Sequence, residues 1–311
     1  MVARILTVAA AQMGPVARTE SRAQVVRRMI ELMRQARSMG AEVVAYPEAT
    51  LTAFFPHWFT EDEAELDAWF EREMPGPQTM ALFEEARRLG IGFHLGYCEL
   101  DHSGGHKRRF NTSILVGADG RIIGKYRKIH LPGHSDHRPD TPFQNLEKRY
   151  FEVGDLGFGT WRAFGTVAGM MICNDRRWPE SYRVLGLQGV EMIFCGYNTP
   201  VHHPAAPDHD RLGQFHNALS MQSGAYQNSC WVIGIAKAGM EEGVDMIAGS
   251  CIIAPSGEIV ARCSSNEDEL IVARCDLELG RSYRDTTFNF ALHRRVEHYR
   301  MIVERTGALA P

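Results

Sequence analysis

Apolar positions along this chain switch repeatedly between two periods. Ile5 to Ala11 and Val43 to Tyr46 are short continuous apolar runs, the pattern of buried strands. Between them, Val25, Val26, Met29, Ile30, Leu32 and Met33 recur at the spacing of one helix face across Arg22 to Met39, so the chain opens as β-α-β. Gln78 to Leu89 has helical spacing, and Ile91 to Tyr97 reads as a strand running toward a Gly104-Gly105 turn. Ser113 to Val116 and Ile122 to Tyr126 flank Ala118-Asp119-Gly120, a hairpin signal because Asp-Gly readily adopts the turn conformation. Leu131 to Gly159 is rich in Pro, His, Asp and Gly with weak periodicity, and reads as a long loop.

Regular pattern resumes with strands at Trp161 to Phe164 and Val167 to Cys173, a helix over Pro179 to Gln188, and a strand at Met192 to Tyr197. A helix over Gln214 to Gln227 follows, then strands at Trp231 to Ala236, Gly249 to Ile253 and Leu270 to Cys275, with Pro255-Ser256-Gly257-Glu258 as a hairpin turn. Strands and helices alternate from end to end without a repeat or low-complexity linker. One α/β domain over residues 1–311 is therefore the expectation, and the hairpins make its sheet mixed.

Composition narrows the partners more than the fold. With 44% hydrophobic and 23% charged residues and a net charge of -4, the 311-residue chain gives no reason to expect nucleic acid or an anionic membrane as partner. Met1 to Met13 reads as a buried first strand rather than a signal peptide, and no apolar run approaches the ~18 residues of a membrane span. The seven cysteines are scattered and never form CxxC, which fits reduced thiols in a cytoplasmic protein.

Only Cys173 has a charged context. Met170-Met171-Ile172-Cys173-Asn174-Asp175-Arg176-Arg177 is an apolar strand ending on a thiol and then two cations, which suits delivery of an activated nucleophile to a pocket floor. The alternative is a packed cysteine followed by surface arginines. Two other strands end on reactive polar residues. Ala45-Tyr46-Pro47-Glu48 places a carboxylate where it can act as a base, against a plain turn glutamate. Gly124 to Gly133 places Tyr126, Lys128 and His130 on one face, with Lys128 able to stabilise an oxyanion, against an ordinary charged strand end.

Glu48, Lys128 and Cys173 occur in the order of the Glu-Lys-Cys triad of the carbon–nitrogen hydrolase, or nitrilase-like, superfamily, which the chain resembles over nearly its whole length. The resemblance is closest to the N-carbamoyl-D-amino-acid amidohydrolases. It runs through Phe54-Phe55-Pro56, Glu73-Met74-Pro75-Gly76-Pro77, Arg108 to Ser113, Lys125 to Gly133, Leu146 to Phe151 and Cys173 to Glu180. It implies a four-layer α-β-β-α sandwich assembled as a homodimer or homotetramer, acting without metal or organic cofactor on a small ureido carboxylate. It also implies Glu147 as a second carboxylate near the triad, where the residues alone read equally well as a helix-surface acid. Arg176 and Arg177 are the candidates to hold the substrate carboxylate, because planar guanidinium groups bind carboxylates bidentately, although a structural role for one of them is also open. His130, Asn198 and Thr199 are expected to complete the polar wall, and the backbone N–H of Asn174 to share the oxyanion with Lys128. Asn145 stands where the D-carbamoylases usually carry histidine, and the loop Ser135 to Asp140 also departs from theirs.

Two rival classes remain open at this level. His202, His203, His209, Asp210 and His216 crowd one region, but no HExxH or CxxC accompanies them, and a polar loop over a pocket or interface explains them more simply than a metal centre. A binding or scaffold protein on the same fold would need none of Glu48, Lys128 and Cys173. Nitrilases, aliphatic amidases and β-ureidopropionases would share the triad and differ in the pocket.

Overall fold

The β-α-β opening becomes the seed of the first of two sheets. In the computed structural model, which describes residues 3–310, β1 (Ile5–Gln12) leads through α1 (Arg22–Ser38) to a parallel β2 (Val43–Ala45). Met1 and Val2, at the head of the stretch read as a first strand, and Pro311 lie outside the described residues. Ser21 starts α1 with a reciprocal capping box to Gln24, and the buried face is Val25, Val26, Met29, Leu32, Met33 and Ala36, the stripe expected from the spacing.

A short α2 (Glu63–Asp67) and α3 (Met80–Leu89) precede β3 (Gly92–Asp101), β4 (Arg108–Val116) and β5 (Ile122–Arg127). The second half holds α4 (Glu147–Tyr150), β6 (Thr160–Ala163), β7 (Thr166–Ile172), α5 (Pro179–Leu187), β8 (Met192–Tyr197), α6 (Gly213–Asn228) and β9 (Trp231–Ala236). It closes with β10 (Ala238–Glu241), β11 (Val244–Ile247), β12 (Cys251–Ile253), β13 (Ile259–Arg262) and β14 (Glu269–Asp276). Short helical turns follow from Arg281 to Glu304.

The sheets run β14-β1-β2-β3-β4-β5 and β6-β7-β8-β9-β12-β13 when each is read from its outer antiparallel strand. Both follow one pattern: antiparallel, parallel, parallel, antiparallel, antiparallel. The chain thus repeats an architecture without repeating a sequence. Alternate residues of β1 show how the layers form: Leu6, Val8 and Ala10 enter the core shared with Met170, Ile172 and Phe194 of the second sheet, whereas Ala9 and Ala11 pack under α1 and α3. With α5 and α6 on the far side of the second sheet, the order of layers is α-β-β-α, a nitrilase-like α/β fold with mixed sheets. Among the described residues, no helix is long and apolar enough to cross a membrane.

Three segments differ from the sequence reading. The stretch 131–159 is ordered through α4 and a third apolar cluster in which Leu146, Tyr150 and Phe151 pack with Phe54, Phe55 and Phe70. One helical turn is too short to create a periodic signal. The hairpin β10–β11 was not expected, because its strands are four residues long and its turn is Glu242-Gly243, both at positive φ. β13 is a partly exposed edge strand and lacks a strong apolar run.

Two glycines make room for the chain that follows β2. A Cβ on Gly96 of β3 would lie 2.4 Å from the Pro47 carbonyl oxygen and 2.7 Å from Glu48 Cα, and one on Gly196 of β8 would lie 2.6 Å from Glu48 N. Pro47-Glu48 therefore threads between the two sheets, where only hydrogen-sized side chains fit. Gly96→Ala and Gly196→Ala should each destabilise the protein by about 1–3 kcal/mol through overpacking against backbone, seen as a lower Tm in thermal denaturation. An unchanged Tm in both would mean that the passage is looser than this geometry.

Candidate active site

Four strand ends meet at one place. Glu48 follows β2, Lys128 follows β5, Cys173 follows β7 and Asn198 follows β8, while Glu147 begins α4. Lys128 is completely buried, and its Nζ lies 2.7 Å from Glu48 Oε1 and 2.5 Å from Glu147 Oε2. Glu48, also fully buried, accepts further hydrogen bonds at 2.7 Å from Asn111 Nδ2 and from the Asn198 backbone N–H. Asn198 Nδ2 in turn donates to the Glu48 carbonyl, and Lys128 N to the Asn111 carbonyl.

Charges in this cluster set each other. Burial alone would drive the Lys128 ammonium down, but the negative charges at Cys173, Glu147 and Glu48 outweigh it and hold its pKa well above the ordinary lysine value. Burial raises Glu147 to about 7 against the pull of Lys128, with the charge of Glu48 adding to the rise. The Cys173 thiol is also raised, by burial and then by Glu48, with Lys128 and Arg176 opposing. Attack by this sulfur therefore requires removal of its proton by a base.

Cys173 itself sits in the left-handed region at φ 47, at the start of the tight turn Cys173–Arg177. For a non-glycine residue this conformation costs on the order of 1–3 kcal/mol and persists only where neighbours over-determine it. Two side chains do so. Arg176 Nη1 donates to the Cys173 carbonyl at 2.5 Å, and the Asp175 carboxylate accepts from Ile172 N at 3.0 Å. The thiol faces the Asn198 carbonyl at 3.6 Å and Thr199 Oγ1 at 3.8 Å.

A cavity of about 230 Å³ opens over Cys173 and Glu147, with Asn174, Arg177, Asn198 and Thr199 on its wall. The expected pair of carboxylate-binding arginines divides here. Arg176 is 1% exposed, and its donors are committed to Asn217, the Cys173 carbonyl and Thr199, with its guanidinium over the Tyr197 ring. It holds the turn and is not placed to clamp a ligand. Arg177 faces the cavity and has no carboxylate within ion-pair distance among the described residues. The adjacent Arg176 charge and then burial bring it down to about 10, so it is still a cation at neutral pH.

His130 also departs from expectation. Its N–H and Nδ1 pair with Asp175 Oδ1 at 2.9 and 2.8 Å, its ring stacks on Trp178, and it borders a separate shallow pocket. The strand ends at Arg127, so period-two alternation no longer sets where His130 points. Asp175, fully buried, also accepts from Tyr126 Oη at 2.7 Å and so ties the Lys128 segment to the Cys173 turn. Sequence reasoning passed over Asp175 and Asn111, although both lie inside the quoted motifs. Polar residues flanking the reactive ones were the available signal.

His203, His209, Asp210 and His216 line the outer part of the same cavity, with His202 Nδ1 2.7 Å from Asp210 Oδ2. Among the described residues, no three His, Cys, Asp or Glu side chains converge with metal-ligand geometry. Sequence reasoning also missed His57, which is buried on the cavity wall between the rings of Phe54 and Phe143. Burial and the nearby Lys237 charge lower it to about 3, so it is neutral at working pH.

Comparison with known proteins agrees with this geometry. A nitrilase from Pyrococcus abyssi is 32% identical over 272 residues, covering 86% of this chain and 90% of its own. An N-carbamoylputrescine amidase from Solanum lycopersicum is 27% identical over 98% of this chain and 97% of its own. The crystal structure of a carbon–nitrogen hydrolase from Helicobacter pylori G27 superposes with a TM-score of 0.81 at 22% identity, over 97% of this chain and 99% of that one, and shares the fold. Residues 7–285 match the family described as carbon–nitrogen hydrolase. The chain therefore belongs to the carbon–nitrogen hydrolase family and is a hydrolase of C–N bonds.

Proposed function

We propose that this enzyme hydrolyses N-carbamoyl-D-amino acids to the D-amino acid, carbon dioxide and ammonia. The observation that carries the carboxylate end of this reading is Arg177, an unpaired guanidinium on the wall of the cavity that holds Cys173. Relatives named N-carbamoylputrescine amidase support a carbamoyl substrate. Putrescine would present an amine at the far end, which an unpaired guanidinium repels and a carboxylate satisfies. The D configuration rests on the resemblance of the sequence blocks around the site.

In this mechanism Glu48 takes the thiol proton as Cys173 Sγ bonds to the ureido carbonyl carbon. The oxyanion forms against the Lys128 ammonium, which is buried from water, and the Asn174 N–H. Collapse breaks one C–N bond, and Glu48 returns the proton to the departing nitrogen. Glu48 then deprotonates water, which attacks the remaining acyl-enzyme and frees the thiol. If the amino acid leaves first, water releases carbamate; if ammonia leaves first, it releases the N-carboxy amino acid. Either breaks down to carbon dioxide and the second amine. Glu147, when ionised, completes the counter-charge on Lys128.

Ammonia release from matched N-carbamoyl-D- and N-carbamoyl-L-amino acids, with simple amides and nitriles alongside, tests the substrate. Preference for the D series is expected; activity on amides or nitriles alone would keep the chemistry and discard the ureido carboxylate. Cys173→Ala should lose at least about a thousandfold in kcat while binding substrate with little change in affinity, by calorimetry. Arg177→Gln should raise KM about tenfold or more for the carboxylate substrate and leave its amide-capped analogue unaffected. Equal effects on both would place the carboxylate elsewhere.

Glu147 shares Lys128 with Glu48, and burial beside that second carboxylate holds the Glu147 carboxyl up. The acid limb of kcat/KM should rise as pH passes through about 7, where Glu147 becomes ionised. Glu147→Gln removes that ionisable group, so the limb near pH 7 should be lost, with reduced kcat. A limb unmoved by that substitution would show that another group governs it.

A further inference from the structure

Lys237 and Glu241 form a buried ion pair, 0% and 1% exposed, that no step of the reaction uses. Neither side chain lines the cavity. Lys237 Nζ lies 2.7 Å from Glu241 Oε2 and donates to the Thr52 carbonyl at 2.6 Å. Glu241 Oε1 accepts from Phe54 N at 2.6 Å, and its Oε2 from Val16 N at 3.0 Å. The charges thus grip both ends of the short segment 52–54, which leads directly to Phe54 and His57 on one cavity wall.

The β10–β11 hairpin, with Lys237 just before it, also holds a second stretch of the cavity lining by its backbone. Lys237 N donates to the Tyr197 carbonyl at 3.0 Å, Ile247 N to Thr199 at 2.8 Å, and Val201 N to Asp245 at 2.8 Å. Thr199, Pro200 and Val201 line the same cavity as Phe54 and His57 and form a second, separate stretch of its wall. The β10–β11 hairpin is therefore a bracket. One end of it is attached to the second wall by strand-like hydrogen bonds, and the first wall hangs from its charge pair.

We infer that Lys237 and Glu241 are positioning residues that set the spacing between these two walls and thereby select the substrate's side chain, a role that rests on the cavity over Cys173 being the substrate site. Apolar packing at this point would fill space without fixing direction, whereas an ammonium on one carbonyl and a carboxylate on one N–H fix the segment's height and rotation. Glu48 has its own anchors in Lys128, Asn111 and Asn198, so the reacting centre does not hang from the bracket. Loss of the pair should therefore spare the chemistry and blur the pocket.

The test compares the intact enzyme with Lys237→Met, Glu241→Gln and the double variant, with rates per active site from stoichiometric alkylation of Cys173. Substrates are N-carbamoylglycine, which has no side chain to read, and N-carbamoyl-D-phenylalanine. Acetamide and phenylacetamide are run in parallel. The ratio of kcat/KM for the bulky over the small substrate should change about tenfold or more in the single variants, through KM, with kcat for N-carbamoylglycine within about threefold of wild type. A structural role alone would lower Tm and the active fraction but leave that ratio unchanged, and this result would overturn the inference. The double variant leaves no unpaired buried charge; it should fold where a single variant does not, and an unchanged ratio in it is equally decisive. If the wild type acts on amides only, the ureido reading fails, and the amide pair reports on the bracket independently.

Discussion

A lysine ammonium with no exposure to water, held between two carboxylates, is the interaction on which this molecule is organised. Taking three such groups out of water costs several kcal/mol for each ion, which close contacts at 2.5–2.7 Å offset only when the remaining hydrogen-bonding capacity is also met. For Glu48 it is met on both oxygens, by groups far apart in the chain. Asn111 comes from β4, the Asn198 N–H from the end of β8, and Glu147 from the first turn of α4. The excess negative charge is relieved by lifting Glu147 toward neutrality. A cluster with these demands can exist only where several strand ends converge, and the two-sheet sandwich supplies that place.

The architecture explains why so much of the fold could be read from the chain. Fully buried strands such as β7, β8 and β9 write themselves as unbroken apolar runs, and α1 as a stripe bounded by Ser21 and Gly40. Reactive residues placed just beyond such runs stand out by contrast, and Glu48, Lys128 and Cys173 were legible for that reason. The equivalence of the two sheets was not legible. Strand order and direction repeat, but side chains at equivalent places face different neighbours, so no repeated sequence records it.

What escaped the sequence lies where local period stops carrying information. His130 is three residues beyond the end of β5, and its ring is set by Asp175 rather than by alternation. The β10–β11 hairpin is too short to produce a pattern, and its buried Lys237 and Glu241 look like surface charges when read in line. Asn111 sits in a strand among residues of every polarity. Its importance comes from Glu48, 63 positions earlier in the chain.

Adjacent Arg176 and Arg177 show how one local turn assigns opposite tasks to the same side chain. A tight helical turn rotates successive residues by roughly 120°, so when the first points into the core the second points out of it. Arg176, turned inward, binds the carbonyl of Cys173 and helps hold that residue in a left-handed conformation that it would not keep alone. That same buried charge, without a carboxylate of its own, destabilises the cation beside it and lowers the Arg177 pKa. The backbone geometry of Cys173 and the lowered pKa of Arg177 are therefore two consequences of one buried guanidinium. Neutralising Arg176 would disturb both, even though it faces away from the ligand.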